Sequence, residues 1–427
     1  MPDPTEVNVS ADAARPDPDP AADGGAQIAA DPATCDDTPK SMRNVRALGM
    51  VSLLTDASSE AIYPILPLFL ANVLGAPVSV IGIIESLAEA TSSLTRVFSG
   101  WLSDKVGKRR PLVLLGYSLS NLVKPALALA PTWPVVLALR VTDRLGKGIR
   151  TAPRDALIAD SCSAEERGAA FGLHRALDTV GAAIGPLVAF LVLTFSPDGY
   201  RTVFLLSAIP GIAAILVVLF AVHERRAPRP ATSGKPAPIR LRGLGKPFAI
   251  FTAVSAIFAL GNSSDAMLIL RAQDLGTKAA LVPLMYFVFN VVAASLAGRF
   301  GKRSDRVGRR RVIIAGFAGY AVVYAGFALA SGAWSPWLLF ALYGVPYALT
   351  EGMTRAFVVD LVPEEVRATA IGGYTFVLGL AALPSSAVAG ILWDTVGHSA
   401  PFALSAALMA TAAVAMYALR RTLVPRA

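Results

Sequence analysis

The stretch Leu53–Pro67, LLTDASSEAIYPILP, places two carboxylates inside a long apolar run. Asp56 and Glu60 are four residues apart, so on a helix they lie on one face. A charged side chain inside hydrocarbon costs several kcal/mol and normally faces a partner or a water-filled cavity. The stretch therefore predicts a membrane-spanning helix whose acidic face is turned away from lipid.

The whole chain has the composition of a membrane protein. Of its 427 residues, 54% are hydrophobic and 16% are charged, whereas a soluble protein carries about 25% charged residues. Apolar stretches of about 20 residues recur, each long enough to cross a hydrocarbon core about 30 Å thick. We predict an all-α integral membrane protein with twelve transmembrane helices, over residues 45–72, 78–103, 111–130, 133–153, 168–195, 201–222, 247–272, 279–300, 312–332, 335–359, 367–395 and 399–420.

Lys and Arg residues fall in alternate connections between the predicted spans. The densest runs are DKVGKRR at 104–110 and GKRSDRVGRRR at 301–311, whereas the connections 73–77, 130–134 and 331–335 carry none. The positive-inside rule therefore predicts that both termini and the long central connection are cytoplasmic. The net charge of +9 then reflects topology, and nucleic-acid binding is not expected because the charge is scattered along loops.

Two segments are predicted to lie outside the helical halves. Residues 1–40 are rich in Asp, Pro and Ala and predict a disordered cytoplasmic tail without the pattern of a signal peptide. Residues 225–245 are basic and Pro-rich and predict a linker between a six-helix half over 41–224 and a second half with a short tail over 246–427. The two cysteines form no metal or disulfide pattern, so neither a metal nor a cofactor is expected.

The two halves repeat one another in sequence. SDKVGKRR at 103–110 recurs as SDRVGRRR at 304–311, and SSEA at 58–61 recurs as SSDA at 263–266. The second match places Asp265 opposite the acids of the first span. Duplicated helical halves predict a site at their interface and alternating access by rocking of one half against the other.

With these features the chain resembles the major facilitator superfamily, in particular its twelve-helix drug:proton antiporters. GWLSDKVGKRRP at 100–111 resembles the loop motif between the second and third spans of that family, with a looser copy at 301–311. The resemblance implies that these loops form a charge network that holds one conformation closed. Its expected members are Gly100, Asp104, Gly107, Arg109, Asp305, Gly308 and Arg310.

Two other stretches bear on this resemblance. GAAIGP at 181–186 is similar to the G-xxx-GP motif of exporters, in which small residues let helices touch and proline bends the helix. Gly181, Gly185 and Pro186 are therefore expected to shape the fifth span. The fourth span fits the exporter pattern at Arg140 but departs from it beyond that residue, because Asp143 and Arg144 replace a Gln-Gly pair.

Ionisable residues at the predicted bilayer depth make up the candidate site. They are Asp56, Glu60, Glu85, Glu89, Arg140, Asp143, Arg144, Asp178 and Asp265. We expect the N-terminal half to hold a proton-responsive network, since a change of charged neighbours moves a carboxylate pKa, and the C-terminal half to supply an aromatic substrate wall. Alternatively, Asp56 and Glu60 are permanently paired with Lys124 or Arg140 and only hold helices together.

The sequence favours a secondary transporter of a small organic solute, with proton-coupled efflux by antiport as the first hypothesis. The alternative is a proton-coupled importer or symporter of a metabolite, an anion or a chelated ion, which the same acids would serve equally well. Because no nucleophile–base set, metal-ligand spacing or phosphate-binding loop occurs, enzymatic activity is not expected. The resemblance further implies a working monomer in a bacterial inner (plasma) membrane.

Overall fold

The helices of the N-terminal half follow the predicted spans. A computed structural model describes residues 42–163, 166–224, 244–363 and 366–423, and within these ranges all regular secondary structure is helical. The helices before residue 224 are α1 (Met42–Ile62), α2 (Leu66–Asn72), α3 (Val78–Val106), α4 (Arg110–Ala126), α5 (Trp133–Asp160), α6 (Arg167–Phe195), α7 (Tyr200–Leu206) and α8 (Ala208–Ala221).

The C-terminal half follows in the chain. Its helices are α9 (Lys246–Gly261), α10 (Asp265–Asp274), α11 (Val282–Val307), α12 (Arg309–Leu329), α13 (Ser335–Thr350), α14 (Met353–Asp360), α15 (Arg367–Thr395) and α16 (Ala400–Ala418). The predicted tail 1–40 and residues 225–243 of the predicted linker lie outside the described residues. Both assignments, and the division into two halves, stay predictions.

Eight helical stretches are long and apolar enough to cross a membrane, by length and composition. They are Arg110–Leu129, Arg167–Phe195, Tyr200–Ala221, Lys246–Asp274, Ala279–Ser304, Arg309–Leu329, Thr369–Thr395 and Ala400–Arg421. The helices over the other predicted spans are shorter or richer in charge, and α5 alone carries most of the cations of the candidate site. The protein is therefore an all-helical, multi-pass membrane protein, whereas the number twelve and the orientation of the termini stay predictions.

The first helical segment of each half is interrupted, and with SSEA at 58–61 aligned on SSDA at 263–266 the break in the second half lies six residues earlier. α1 ends at Ile62 and α2 begins at Leu66, with Pro64 in the break, because proline lacks the N–H that a continuing helix needs. α9 ends at Gly261 and α10 begins at Asp265. Broken helices of this kind supply free backbone ends and side chains to the binding sites of many transporters.

The two halves pack against each other at one end of the bundle. We call the end at which α1 begins the basic end, and the end at which α2 connects to α3 the opposite end. Near the opposite end, a Cβ on Gly82 of α3 would lie 2.1 Å from the carbonyl oxygen of Ser386 on α15. A Cβ on Gly390 would lie 2.6 Å from the Cα of Ser79. Glycine at both positions lets α3 and α15 touch near the opposite end.

Glycine also sets the contact between α1 and α6. A Cβ on Gly181 would lie 2.3 Å from the carbonyl oxygen of Leu53, and a Cβ on Gly185 would lie 2.6 Å from the nitrogen of Ala61. Such distances exclude any side chain, so the two backbones are in direct contact. Pro186 lies inside α6, which continues through it, and the bend expected there stays a prediction.

Replacing Gly181 with alanine is expected to destabilise the protein by about 1–3 kcal/mol, because the added methyl group must push α1 and α6 apart. The matched control is Gly172→Ala on the same helix, where a Cβ meets no atom within 4 Å. There alanine should be neutral or slightly stabilising, because it favours the helix over glycine. Thermal unfolding of the purified variants in detergent measures both effects, and equal melting curves would contradict the contact.

Candidate functional site

Two adjoining cavities lie among the helices and share Tyr63, Glu89 and Arg144 in their walls. The charged cavity, of about 220 Å³, is lined mostly by α1, α4 and α5. Its acids are Asp56, Glu60, Glu89 and Asp143, and its cations are Lys124, Arg140, Arg144, Lys147 and Arg150. The aromatic cavity, of about 490 Å³, has walls from both halves, and its rings include Tyr63, Phe258, Tyr320, Tyr343, Tyr347 and Tyr374.

Four of the candidate residues form a buried network between α3 and α5. Arg140 donates to Glu85 through Nε to Oε1 and through NH2 to Oε2, both at 3.2 Å. Its NH1 lies 3.5 Å from Asp143 Oδ2, and Arg144 Nε lies 3.9 Å from the same oxygen. Ser120 on α4 donates to the other oxygen of Asp143 at 2.5 Å. Because these charges satisfy one another, the network ties the three helices together.

Neither cation that could have neutralised the first-span acids does so in this conformation. Lys124 Nζ donates to Asn121 Oδ1 at 2.8 Å and reaches two oxygens of α1 at 3.4 and 3.5 Å. Arg140 is engaged in the network just described. Within the described ranges, neither forms an ion pair within 4.0 Å with Asp56 or Glu60. The structure therefore gives no support to permanent pairing of these acids with Lys124 or Arg140.

Asp56 on α1 lies instead against Asp178 on α6, close enough for the two carboxyl groups to share a hydrogen bond. Two carboxyl groups can share a hydrogen bond only when one of them carries a proton. Asp178 already accepts from Ser52 Oγ at 2.8 Å and from Arg175 NH1 at 3.1 Å. Asp56 has no donor of its own in the described part of the chain, so the arrangement favours a proton on Asp56.

Glu60 and Glu89 line the charged cavity without an ion pair in the described residues. Among the cations of the cavity wall, Lys147 acts most strongly on Glu60. Arg150 is 5% exposed and its guanidinium lies 4.3 Å from the Tyr117 ring centroid, while its NH1 atom has no hydrogen-bond partner among the described residues. Besides the paired Arg140, Asp143 and Arg144, the cavity thus holds charged groups that form no ion pair within the described residues.

Asp265 belongs to the aromatic cavity, in the C-terminal half. It lies in the first turn of α10, where the helix dipole stabilises a negative charge. The hydroxyl of Tyr343 donates to Asp265 Oδ1 at 2.8 Å. The repeat had placed Asp265 opposite Asp56 and Glu60. In the structure it faces the adjoining cavity, so the candidate acids are divided between two chambers.

The glycines of the predicted gating loops end α3 and α11. Gly107 and Gly308 have φ angles of 67° and 94°, a backbone conformation that glycine adopts readily. A Cβ on Gly100 would lie 3.4 Å from the Cβ of Ala152, which is ordinary contact. Tight packing of α5 on α3 occurs at Gly148 instead, where a Cβ would lie 2.8 Å from the Ser92 carbonyl oxygen.

The basic residues of these loops form equivalent ion pairs in the two halves. Arg109 pairs with Asp160 at the end of α5, and Arg309 pairs with Asp360 at the end of α14. Sequence reasoning missed both aspartates, although a further repeat contains them: IADSCSAEERG at 158–168 recurs as VVDLVPEEVRA at 358–368. Arg310 donates to backbone carbonyl oxygens just after α16. The side chains of Asp104 and Asp305 lie outside the described residues, so their part in gating stays a prediction.

Asp394 of α15 makes a contact between the halves that sequence reasoning also missed. Its Oδ1 and Oδ2 accept hydrogen bonds from the backbone N–H groups of Val78 at 3.3 Å and Ser79 at 2.8 Å. A carboxylate at a helix N-terminus satisfies free N–H groups and interacts favourably with the helix dipole. Asp394 thus reinforces the α3–α15 contact near the opposite end.

Comparison with known proteins identifies one family. The model of the major facilitator superfamily matches residues 48–382 and 249–427. An uncharacterised MFS-type transporter of Methanocaldococcus jannaschii is 39% identical over 357 residues, which are 82% of this chain and 88% of that protein. The multi-drug resistance efflux pump PmrA of Streptococcus pneumoniae is 27% identical over 72% of this chain and 78% of its own length.

Solved structures show the same fold. The crystal structure of a POT family transporter in complex with 5-aminolevulinic acid superposes with a TM-score of 0.76. It covers 90% of this chain and 97% of its own length at 12% sequence identity. At that identity, the likeness concerns the arrangement of the helices.

Removing one member of the buried pair should destabilise the protein more than removing both. Arg140→Met leaves Glu85 buried without its partner, and breaking a buried pair in this way costs about 3–5 kcal/mol. The double variant Arg140→Met/Glu85→Leu removes both charges and should recover most of that loss. The cycle is completed by the melting temperatures of Arg140→Met, Glu85→Leu and the double variant in detergent. If the two single losses simply add, the pair is not coupled and the network interpretation is wrong.

Proposed function

The chain belongs to the major facilitator superfamily, and from this premise we propose that it exports a small organic solute in exchange for protons. The observation that carries the proposal is the carboxyl pair of Asp56 and Asp178 beside the charged cavity. A hydrogen bond between two carboxyl groups holds one proton and is lost when that proton leaves. The pair is therefore a proton site whose occupancy changes the contact between α1 and α6.

Loss of the proton would force a rearrangement of the cavity wall. Two carboxylates at hydrogen-bond distance repel each other, and their repulsion is strong where little water screens it. Arg150 is the cation that acts most strongly on Asp56, and its NH1 has no hydrogen-bond partner within the described ranges. We propose that the deprotonated Asp56 turns from Asp178 toward Arg150. This movement would couple the proton to the relative positions of α1, α5 and α6.

Glu60 is the second group of the exchange. It lies one turn beyond Asp56 and lines the same cavity, facing Lys147. The two cavities adjoin, since Tyr63 and Arg144 line both of them. Solute that moves from the aromatic cavity into the charged cavity would therefore meet Glu60. Solute binding and a proton on the first-span acids would then compete, which is the thermodynamic condition for antiport.

The placement of charge supports a membrane orientation for this cycle. The Lys- and Arg-rich connections lie at the basic end, and the positive-inside rule would put that end in the cytoplasm. The aromatic cavity reaches Gly352 and Arg355 on the basic side of α13, while α3 and α15 touch near the opposite end. In this proposal the conformation is open to the cytoplasm, and a monomer in the plasma membrane would load solute from inside. Similarity to a multidrug efflux pump supports export.

Symport of an organic anion is a second candidate, and one observation favours it. The charged cavity contains Lys124, Lys147 and Arg150, none of which forms an ion pair within 4.0 Å in the described ranges. Protonation of Asp56 and Glu60 would leave these cations in excess and favour an anion. In that case proton and solute would bind together, and both would move in the same direction.

Two substitutions test the proposal in liposomes that contain a pH-sensitive dye and an acidic lumen. Cationic, neutral and anionic compounds are added one at a time to the outside. Export by antiport predicts that a transported compound makes the lumen more alkaline. Asp56→Asn and Glu60→Gln should each slow this response by at least about fivefold, because coupling between sites is typically a factor of 5–150. The amide introduced by Asp56→Asn can still donate a hydrogen bond to Asp178, so folding should be retained.

The matched control is Asp198→Asn, which removes an exposed carboxylate of the N-terminal half far along the chain from both cavities and should leave the response unchanged. A transported compound that makes the lumen more acidic would favour the symport candidate. Normal coupling in both Asp56→Asn and Glu60→Gln would show that these acids are structural and would overturn the proposal.

A further inference from the structure

Asp265 is a carboxylate without a cationic partner. Within residues 42–163, 166–224, 244–363 and 366–423, no Lys or Arg nitrogen lies within 4.0 Å of it. Its one side-chain donor is the hydroxyl of Tyr343, which contacts Oδ1. The charged residue that acts on it is Glu85, another acid, and Glu85 is already neutralised by Arg140. Asp265 therefore presents to the aromatic cavity a carboxyl group that no cation of the described residues neutralises.

Aromatic rings surround this carboxylate on the wall of the C-terminal half. The ring centroid of Tyr343 lies 5.4 Å from that of Tyr320 and 5.0 Å from that of Phe289. Tyr347 packs edge-on against Phe289 at 5.2 Å. The faces of such rings attract cations, and organic ammonium groups bind in aromatic cages of this kind. Tyr320, Tyr343 and Tyr347 all line the cavity into which Asp265 faces.

We propose that Asp265, Tyr320, Tyr343 and Tyr347 form a recognition site for the cationic group of an organic solute. The inference rests on the proposed transport function and names the class of solute, an organic cation with an apolar or aromatic body. The cavity of about 490 Å³ is of the size that holds a small organic ligand. A carboxylate gives the charge, and the rings exclude water and accept the apolar body.

The other charged residues of the aromatic cavity do not neutralise Asp265, so a cationic solute could bind beside it. Arg96, Arg144 and Arg355 line its wall together with Glu85, Glu89 and Glu351, so these cations are equalled in number by acids other than Asp265. The helix dipole of α10 stabilises a negative charge on Asp265, which lies in the first turn. A dipole places no group in the cavity, so the space beside the carboxyl group stays open. An anionic solute would be repelled here, and a neutral one would leave the carboxylate without a partner.

The proposal separates the solute from the proton. The solute cation would bind in the C-terminal half, whereas the proton is held by Asp56 and Asp178 in the N-terminal half. Tyr63 connects the two, since it lines both cavities and the Arg140 guanidinium lies 5.6 Å from its ring centroid. Loss of the solute site and loss of the proton site should therefore be distinguishable by experiment.

Equilibrium binding of radiolabelled tetraphenylphosphonium, a permanent organic cation, tests the site on full-length protein in detergent. We expect Asp265→Asn to weaken binding by at least about tenfold, equivalent to about 1.4 kcal/mol. The matched control, Glu351→Gln, removes the same charge from the same cavity outside the ring cluster and should change binding by less than about twofold, or about 0.4 kcal/mol.

A second measurement uses the wild-type protein and does not depend on the folding of any variant. Phenylbutyl-trimethylammonium, phenylbutanol and phenylbutyrate share one body and differ in charge, and each is tested as a competitor of tetraphenylphosphonium. We expect the ammonium to compete at a concentration at least about tenfold lower than the other two, or about 1.4 kcal/mol. Equal competition by all three, or equal losses in Asp265→Asn and Glu351→Gln, would overturn the site. If cations bind as expected but no compound moves protons, the solute site stands and the proposed antiport fails.

Discussion

A charge inside hydrocarbon must be neutralised by a partner or face a cavity, and this constraint organises the N-terminal half. Glu85, Arg140 and Asp143 satisfy it by pairing, and their ion pairs join α3 to α5. Asp56, Glu60 and Arg150 satisfy it by lining a cavity. The same physical requirement therefore produces two populations of buried charge. One holds the helices in place, and we propose that the other is available for exchange.

Close backbone contact is what brings the exchangeable charges together. Gly181 and Gly185 let α6 touch α1, so that Asp178 of α6 meets Asp56 of α1. A larger residue at either glycine would move the two carboxyl groups apart. The carboxyl pair therefore depends on the packing of α6 on α1, because a hydrogen bond between the two groups requires the short interhelical distance that glycine permits.

Much of this arrangement could be predicted from the sequence, because it depends on local patterns. The apolar runs located the helices, and charge within apolar runs selected nine candidate residues, of which all but Asp178 line a cavity. The pairing of those charges could not be predicted. Arg140 binds Glu85 rather than a first-span acid because of how each helix is rotated, and one residue of shift turns a side chain by about 100°. Asp394 bonds to backbone N–H groups, which leave no signature in the sequence.

The central claim is that Asp56 carries a proton that it exchanges during transport. Infrared difference spectroscopy of the purified protein measures this directly, because a protonated carboxyl group has a C=O stretching band that a carboxylate lacks. The account predicts a carboxyl band in wild-type protein that changes on addition of a transported solute and is absent from Asp56→Asn. A band that persists unchanged in Asp56→Asn would show that the exchanged proton resides elsewhere and would contradict the account.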